Sequence, residues 1–299
     1  PVSLKGTVSI SGSKNAALPI MTACLAHPGL YTLENVPLLR DTITMVKLLE
    51  IIGCKVKSDN NTLTIDTRTC DNPEAPYELV KTMRASFYVL GPLLSRFKYA
   101  KVSLPGGCAW GPRPIDYHLK AFEKMGAQVK LRSGYIVTKG NINSTVVKFP
   151  KSSVGATGNV IMACVHLNGT VIIENAAMEP EIVDLCNFLT KINVKFQGIG
   201  TSTLQISGTE LSLDNDVVVN HSIIPDRIEA GTFMIACAAT KGTVCFKNVN
   251  PDHLTTVIDS LRKAGCVIKT KDNIIDIVSP DKIKPVDIVT DIYPGFPTD

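Results

Sequence analysis

Three features that mark other protein classes are missing from this sequence. No run of lysine and arginine is long enough to indicate nucleic-acid binding, and the formal net charge of +4 is mild. No apolar stretch has the length of a membrane span, and no signal-peptide pattern is present. The nine cysteines include no C-x-x-C pair. The sequence therefore disfavours a nucleic-acid-binding, membrane or zinc protein, and its small positive charge suits anionic small substrates.

The cysteines lie far apart, and most fall inside apolar runs, such as Cys164 in 160–165 and Cys237 in 233–239. This pattern is typical of reduced, buried thiols in a cytosolic protein without a disulfide framework. We therefore expect a cytoplasmic protein with no metal site and no cofactor. The sequence begins at Pro1 in the middle of its pattern, so we also expect a few N-terminal residues to precede it.

One stretch, L-P-G-G-C-A-W-G-P-R-P at 104–114, is too rich in glycine and proline for a helix or a central strand. It is predicted to be a loop. Cys108 lies in its middle on a Gly-Gly corner, which favours an accessible thiol. Arg113 lies between two prolines, and a stiff backbone on both sides suits a pre-oriented contact with an anion.

A unit of roughly 70 residues recurs four times along the chain, which is longer than the common solenoid repeats. Its first turn falls at Gly29, Ala100, Gly169 and Gly242. The string T-L-E-N-V at 32–36 returns as I-I-E-N-A at 172–176 and as C-F-K-N-V at 245–249. Each copy predicts a β-α-β-α-β-β order.

The two helices of each unit differ in character. The first is apolar almost all round, as at 16–25, 158–165 and 231–239, which predicts burial in a large core. The second is amphipathic. We assign strand 7–10 to the first copy, strand 217–220 to the fourth, and one helix over 77–97 to the second. Helices packed inside sheets and an array of ferredoxin-like split βαβ modules both fit this pattern.

Several motifs, in one order along the whole chain, resemble the enolpyruvyl transferases that act on UDP-N-acetylglucosamine. They are S-G-S-K-N-A-A-L-P at 11–19, L-V-K-T-M-R-A-S at 79–86, L-P-G-G-C at 104–108, G-P-R-P-I-D-Y-H at 111–118, S-V-G-A-T at 153–157, E-N-A-A-M-E-P-E-I-V-D at 174–184, P-D-R-I-E-A-G-T at 225–232 and F-P-T-D at 296–299. Met178 and Pro112 depart from the family pattern at positions to which we assign no chemistry.

The resemblance implies an inside-out α/β barrel fold with two domains, each of three repeated units, and an active site in the cleft between them. We expect residues 14–222 to form the first domain. Residues 1–13 and 223–299 would belong to the second, which would be incomplete because the sequence stops inside F-P-T-D. On that expectation the 299-residue chain alone would be inactive.

The implied reaction transfers the enolpyruvyl group of phosphoenolpyruvate to the 3′-hydroxyl of UDP-N-acetylglucosamine and releases phosphate. It is the first committed step of peptidoglycan synthesis. The implied partners are these two substrates, without nucleic acid or membrane and without a cofactor. The reaction needs a proton at C3 of phosphoenolpyruvate, a positioned alcohol and stabilised anionic oxygens.

The resemblance also assigns the catalytic residues. Cys108 would be the general acid, Asp299 would orient or deprotonate the sugar hydroxyl, and Lys14 with Arg113 would bind the anionic groups of phosphoenolpyruvate. Lys14 also follows a predicted strand and precedes a helix, which is a natural anion site.

Further residues are assigned to substrate binding. Arg84, which has mostly apolar neighbours and so needs a partner, would contact the nucleotide-sugar. The others are Asn15 beside Lys14, then Pro114, Ile115, Asp116 and Tyr117 with Arg113 on the uridine side, and Lys151, Ser152, Ser153 and Val154 at the diphosphate and uridine.

Three alternatives remain. The first is the related enzyme that acts on shikimate 3-phosphate, which lacks the L-P-G-G-C loop. The second is a non-catalytic paralogue or fragment. The third is a redox protein using Cys108, although no resolving cysteine lies near it in sequence.

Overall fold

The computed structural model describes residues 2–80, 83–104 and 115–298. The helices are α1 (Lys14–Ala23), α2 (Arg40–Ile51), α3 (Tyr77–Val80), α4 (Leu90–Phe97), α5 (Asp116–Lys124), α6 (Val154–Ala163), α7 (Pro180–Thr190), α8 (Arg227–Ala239) and α9 (Thr255–Lys263), with 3-10 helices at Cys24–Ala26, Arg84–Val89 and Pro251–Leu254. The strands are β1 (Lys5–Ser9), β2 (Gly29–Glu34), β3 (Lys55–Asp59), β4 (Thr62–Asp66), β5 (Glu74–Ala75), β6 (Tyr99–Ser103), β7 (Gln128–Arg132), β8 (Tyr135–Lys139), β9 (Thr145–Lys148), β10 (Thr170–Glu174), β11 (Lys195–Gln197), β12 (Thr203–Ser207), β13 (Val217–Ser222), β14 (Thr243–Lys247), β15 (Val267–Lys271) and β16 (Ile274–Val278).

The described strands form four sheets of four strands, all with one topology. In each sheet one edge strand runs parallel to its neighbour, and the two remaining pairings are antiparallel. The orders are β13-β2-β4-β3, β5-β6-β8-β7, β11-β12-β10-β9 and β1-β14-β16-β15. Side chains alternate between a buried and an open face, as in β8, where Ile136 and Thr138 are buried. The recurring topology is the structural form of the repeat in the sequence.

The pairing of the two opening strands differs from the sequence-based assignment. Strand β1 pairs with β14 of the fourth copy, and β13 pairs with β2 of the first copy. The assignment of residues 7–10 to the first copy and 217–220 to the fourth was therefore wrong. Each strand lies directly before the copy to which it was assigned, but a parallel partner is not fixed by nearness in sequence.

The chain divides into two compact units. The smaller unit contains Pro1–Ser13 and Ile224–Asp299, and the larger unit contains Lys14–Ile223. The larger unit holds three of the sheets and the smaller unit holds the fourth.

Three helices of the larger unit, α1, α4 and α6, are called here the inner helices. Every residue from Ala16 to Ala26 is buried, and so is every residue from Ala156 to Val165. Helices α4 and α6 pack so closely that a side chain at Gly91 would collide with the backbone of Asn159. The apolar runs 16–25 and 158–165 therefore form buried helices, as predicted.

Two helix predictions were wrong. Helix α8 in the smaller unit has an open side, because Phe233 is 40% exposed and Ile235 is 45% exposed. The single helix over 77–97 is interrupted, with a 3-10 segment at Arg84–Val89 and a new helix that begins at Leu90. Pro92 lies in the first turn of that helix, the part of a helix where its missing N–H does least harm.

The C-terminal ends of the inner helices are closed by a helix-end cluster of His27, Arg96 and His166. The Arg96 guanidinium donates hydrogen bonds to the carbonyls of Leu25 at 3.4 Å, Thr67 at 3.0 Å and Cys70 at 3.3 Å. These bonds engage one carbonyl at a helix end and two in a loop, of which that of Thr67 also accepts from the Cys70 N–H at 3.2 Å.

The two histidines of the cluster stack with ring centroids 5.1 Å apart. His27 Nε2 lies 2.9 Å from the Asn215 carbonyl, and His166 Nε2 lies 3.1 Å from the Ala26 carbonyl. A carbonyl only accepts, so both Nε2 atoms carry protons, and His27 Nδ1 accepts from His166 Nε2 at 3.2 Å. The arrangement requires a neutral His27 ring, because its Nδ1 atom accepts while its Nε2 atom donates.

Among the described residues, no helix combines the length and the apolar character needed to cross a membrane.

Candidate functional site

The N-terminal ends of the inner helices surround a cavity of about 280 Å³, called here the helix-start pocket. Its lining residues are Asn15, Ala85, Phe87, Tyr88, Ile115, His118 and Gly155. They come from the start of α1, the 3-10 segment Arg84–Val89, α5 with the residue before it, and the start of α6. Four separate segments that contain sequence-predicted site residues thus meet at one place.

Lys14 is the first residue of α1, next to the pocket residue Asn15. Its Nζ atom forms an ion pair with Asp41 Oδ2 at 3.2 Å, and both side chains are 38% exposed. Asp41 lies in the first turn of α2. The ion pair holds the ammonium group at the start of α1 while leaving part of it accessible to a ligand.

Helix α6 begins with a capped first turn at the pocket. Ser153 is the N-cap, and its Oγ accepts a hydrogen bond from the Ala156 N–H at 3.3 Å. The first N–H groups of a helix have no intrahelical acceptor, and the helix dipole favours negative charge there. A side chain at Gly155 would meet the His118 ring at 3.2 Å, so this glycine allows the ring to lie close to the start of α6.

The hydrogen bonds of Asn159 fix the protonation of His118. Asn159 Oδ1 accepts from the Gly91 N–H at 2.8 Å, and Nδ2 donates to the Phe87 carbonyl at 3.1 Å. Nδ2 also lies 3.0 Å from His118 Nδ1. The amide orientation is set by a pure donor and a pure acceptor, so Nδ1 of His118 must accept. The neutral ring therefore carries its proton on Nε2, the atom nearest Gly155.

Some predicted binding residues lie next to the pocket in sequence but point elsewhere. Asp116 forms an ion pair with Lys120 at 3.2 Å, one turn along α5. Tyr117 stacks on Phe149 with centroids 6.0 Å apart. It lines a second cavity of about 410 Å³ together with Lys120, Ala121, Lys124 and the segment 146–150. Lys151 is exposed, and Ser152 and Val154 are half-buried.

Several predicted site residues cannot be placed. Cys108, Arg113, Pro114 and Asp299 lie outside the described residues. The backbone of Arg84 begins the 3-10 segment at the pocket, but its side chain is also outside the described part. Their roles stay predictions.

Sequence reasoning assigned no role to Asn159, Asp41 or Phe87. Asn159 did leave a signal, because an amide in the apolar run G-N-V-I-M-A must find partners once it is buried. Asp41 at a helix start next to an arginine reads as an ordinary N-terminal acid. Its pairing with Lys14 depends on the packing of α1 against α2, which no local pattern reveals.

Comparison with known proteins identifies relatives over the whole chain. A family model described as EPSP synthase (3-phosphoshikimate 1-carboxyvinyltransferase) matches residues 1–299. The chain is 48% identical over 300 residues to the UDP-N-acetylglucosamine 1-carboxyvinyltransferase of Chlorobaculum parvum. It is 50% identical over 298 residues to the protein of the same name from Geotalea uraniireducens. Each alignment covers 99% of this chain and 70% of the relative.

Two solved structures share the fold at low sequence identity. The enolpyruvyl transferase NikO from Streptomyces tendae aligns with a TM-score of 0.87 at 20% identity, covering 99% of this chain and 71% of that chain. An EPSP synthase from Acinetobacter baumannii aligns with a TM-score of 0.68 at 18% identity, covering 93% and 65%. These likenesses confirm the predicted inside-out α/β fold, and not the alternative array of ferredoxin-like modules.

Proposed function

This chain belongs to the EPSP synthase family of enolpyruvyl transferases, and from that membership we propose that it acts on UDP-N-acetylglucosamine. The proposed reaction transfers the enolpyruvyl group of phosphoenolpyruvate to the sugar 3′-hydroxyl and releases phosphate, the first committed step of peptidoglycan synthesis. The observation that carries the proposal is 48–50% identity to carboxyvinyltransferases named for this acceptor, over 99% of the chain. The sequence identity to the EPSP synthase structure is 18%, so that likeness shows the fold alone.

The reaction adds the sugar oxygen to C2 of phosphoenolpyruvate while a proton is delivered to C3. The resulting tetrahedral intermediate then loses phosphate from C2 and a proton from C3, which restores the double bond. We assign the proton delivery to Cys108, since a thiol with an ordinary pKa of about 8.5 keeps its proton at neutral pH. We assign the positioning of the hydroxyl to Asp299.

We place phosphoenolpyruvate at the start of α1. Lys14 supplies a partly accessible ammonium group there, and Asn15 supplies an amide on the pocket wall. Phosphoenolpyruvate carries both a phosphate and a carboxylate, which one lysine cannot neutralise. We assign the second cation to Arg113, because guanidinium groups bind both anions in a bidentate manner.

We place the nucleotide-sugar along Arg84, Pro114–Tyr117 and Lys151–Val154. The capped start of α6 favours a diphosphate by its dipole and its N–H groups. In this arrangement Ser153 contributes through its backbone, because its hydroxyl already caps the helix. His118 presents an N–H donor toward the same end of α6. Both substrates are cytoplasmic metabolites, and we place the protein in that compartment.

The test is an assay of the full-length protein for phosphate release. We expect release with phosphoenolpyruvate and UDP-N-acetylglucosamine, and a nucleotide-sugar product heavier by one enolpyruvyl group. Shikimate 3-phosphate is the matched acceptor, and faster turnover with it would replace the proposal by the EPSP synthase reaction. No release with either acceptor would favour a non-catalytic paralogue.

The role of Cys108 can be tested separately. An epoxide phosphonate such as fosfomycin should form its adduct on Cys108, and Cys108→Ala should lose about 10²–10⁴-fold in turnover. Cys108→Asp should retain turnover and escape the inhibitor, because a carboxylic acid whose pKa is raised by the site also donates a proton. Turnover near the wild-type value in Cys108→Ala would exclude a thiol from the mechanism.

A further inference from the structure

Two cysteines from different parts of the first copy meet in the interior of the larger unit. Cys54 follows α2 at the start of β3, and Cys70 lies in the loop after β4. Each is 5% exposed, and their side chains are hydrogen-bonded to each other. Both are free thiols. Neither cysteine lines the helix-start pocket, and the pair has no part in the proposed reaction.

The backbone on both sides holds the two cysteines together. A side chain at Gly53 would meet the Cα atom of Cys70 at 3.2 Å, so the two chain segments are in contact. Thr69 Oγ1 donates to the Gly53 carbonyl at 2.9 Å, and the Asn72 N–H donates to the Ile52 carbonyl at 3.3 Å. A disulfide requires two Cα atoms within about 7 Å. Gly53 directly precedes Cys54, so this contact and the hydrogen bond between the two thiols bring the cysteines to the close approach that a disulfide needs.

The surroundings make the two sulfurs unequal. The hydrogen bond from the Cys54 thiol lowers the pKa of Cys70, burial and the charge of Asp71 oppose this, and the positive charge of Arg96 lowers it further. The same hydrogen bond and burial raise the pKa of Cys54. Arg96 is fixed beside the pair, since it donates to the Cys70 carbonyl at 3.3 Å. Since the Arg96 guanidinium lies at Cys70 and favours a thiolate there, we assign the attack to Cys70 and the resolving step to Cys54.

We propose that Cys54 and Cys70 form a reversible redox pair that is oxidised to a disulfide by hydrogen peroxide. The Cys70 thiolate attacks one peroxide oxygen, which breaks the O–O bond and gives a sulfenic acid on Cys70 and hydroxide. The Cys54 sulfur then displaces the sulfenic hydroxyl, forming the S–S bond and water. In total, two thiols and one peroxide give one disulfide and two waters, with two electrons passing from sulfur to oxygen. A small dithiol reverses the reaction by thiol–disulfide exchange.

The first experiment treats the folded full-length protein with hydrogen peroxide, blocks free thiols with iodoacetamide under denaturing conditions and digests it without reductant. We expect a linked peptide pair containing Cys54 and Cys70, lighter by two hydrogen atoms and separated by dithiothreitol. Cys24 and Cys164 are matched controls, because they are fully buried and burial raises the pKa of each. They should be recovered as alkylated thiols. A linked peptide that forms only in unfolded protein would overturn the proposal.

The second experiment separates the two roles with dimedone, which traps sulfenic acids. In Cys54→Ser, the adduct on Cys70 should accumulate, because no thiol remains to resolve it. In Cys70→Ser, labelling of Cys54 should be at least about tenfold weaker, since thiolate character controls the attack. Equal labelling of the two single variants, with both folded by circular dichroism, would contradict the assigned roles. Phosphate release is not read in either experiment, so failure of the proposed function would leave this result unaffected.

Discussion

The two ends of the inner helices differ in what satisfies their backbone groups. At the C-terminal ends, the carbonyls of Leu25 and Ala26 accept hydrogen bonds from Arg96 and His166. At the N-terminal ends, the first turns of α1 and α6 lie beside a cavity of about 280 Å³ with a half-exposed lysine next to it. One end is completed by the chain itself, and we infer that the other end is completed by a substrate.

The difference follows from the helix dipole. Donors and cations stabilise the carbonyl end of a helix, and anions stabilise the amide end. Side chains of this chain supply the first requirement, whereas we propose that ligands that carry phosphate supply the anion of the second. Removing a cation should therefore have different results at the two ends, which four experiments can test.

The largest expected effect is on turnover in Lys14→Ala. We expect a loss of about 10²–10³-fold in kcat/KM for phosphoenolpyruvate, the usual result of removing one group that stabilises developing negative charge. Calorimetry should find the affinity for UDP-N-acetylglucosamine nearly unchanged. Lys98→Gln removes a lysine charge at the opposite end, where Lys98 Nζ donates to the Ser95 carbonyl, and should keep turnover. A weaker nucleotide-sugar affinity in Lys14→Ala would mean that Lys14 binds the other substrate.

At the closed end, Arg96→Ala should reduce stability instead of activity. The substitution removes the donor to three carbonyls, and we expect the free energy of unfolding to fall by about 2–3 kcal/mol in urea denaturation. Arg96→Lys keeps the charge but loses the planar fork, so it should give an intermediate value. An unchanged unfolding midpoint, or a raised KM with normal stability, would break the comparison.

The histidines of the closed end predict a loss of stability in acid. Burial lowers the pKa of His166 to about 4, with the charges of His27 and Lys98 as further causes, and burial also lowers the pKa of His27. In the unfolded chain each titrates near pH 6.5, so the unfolded state binds more protons below that pH. Their contribution to stability is complete above about pH 6.5 and is lost as the pH falls toward 4.

Allowing for partial solvent screening, we expect the titration of His166 to lower the free energy of unfolding by roughly 2 kcal/mol between pH 7 and pH 4.5. Urea denaturation at several pH values over this range measures the slope of the unfolding free energy against pH. His166→Gln keeps a donor for the Ala26 carbonyl but does not titrate, so its slope should be smaller than that of the wild type. Identical slopes in the two proteins would show that other groups control the acid transition.

The smallest expected effect is at the open end, in Ser153→Ala. Loss of the N-cap should reduce the free energy of unfolding by about 1 kcal/mol. The affinity for UDP-N-acetylglucosamine should hardly change, because the hydroxyl is used within α6. Ser153→Thr retains the cap and serves as the control. A tenfold weaker affinity in Ser153→Ala with normal stability would assign the hydroxyl to the substrate.

The sequence was most informative where the signal is local. The apolar runs 16–25 and 158–165 predicted buried helices correctly, because a helix that is apolar all round usually has no solvent face. The same signal at 231–239 failed, since α8 has an open side. The start of α1 was predicted as an anion site from Lys14, and the family resemblance placed the diphosphate at the residues before Gly155. Both starts do lie at one cavity. The substrate roles assigned to them stay predictions.

What could not be predicted depends on contacts between distant segments. Three features join residues that lie far apart in sequence. They are the exchange of β1 and β13, the ion pair of Lys14 with Asp41, and the hydrogen bonds of Asn159 to Gly91, Phe87 and His118. Local propensity contains no information on such partners. The two-residue strand β5 was also missed, because two residues are too few to show an alternating pattern.

The strand exchange also governs the order in which the chain can fold as it leaves the ribosome. Strand β2 is synthesised long before its parallel partner, since Gly29 pairs with Val217, 188 positions later. Until β13 emerges, one edge of the β2-β4-β3 sheet stays open, and open edges invite pairing with other chains. Strand β1 waits longer still, because Lys5 pairs with Thr243. Translation pauses after β13 has left the ribosome should therefore be tolerated by the larger unit, whereas earlier pauses leave an open strand edge that can pair with other chains.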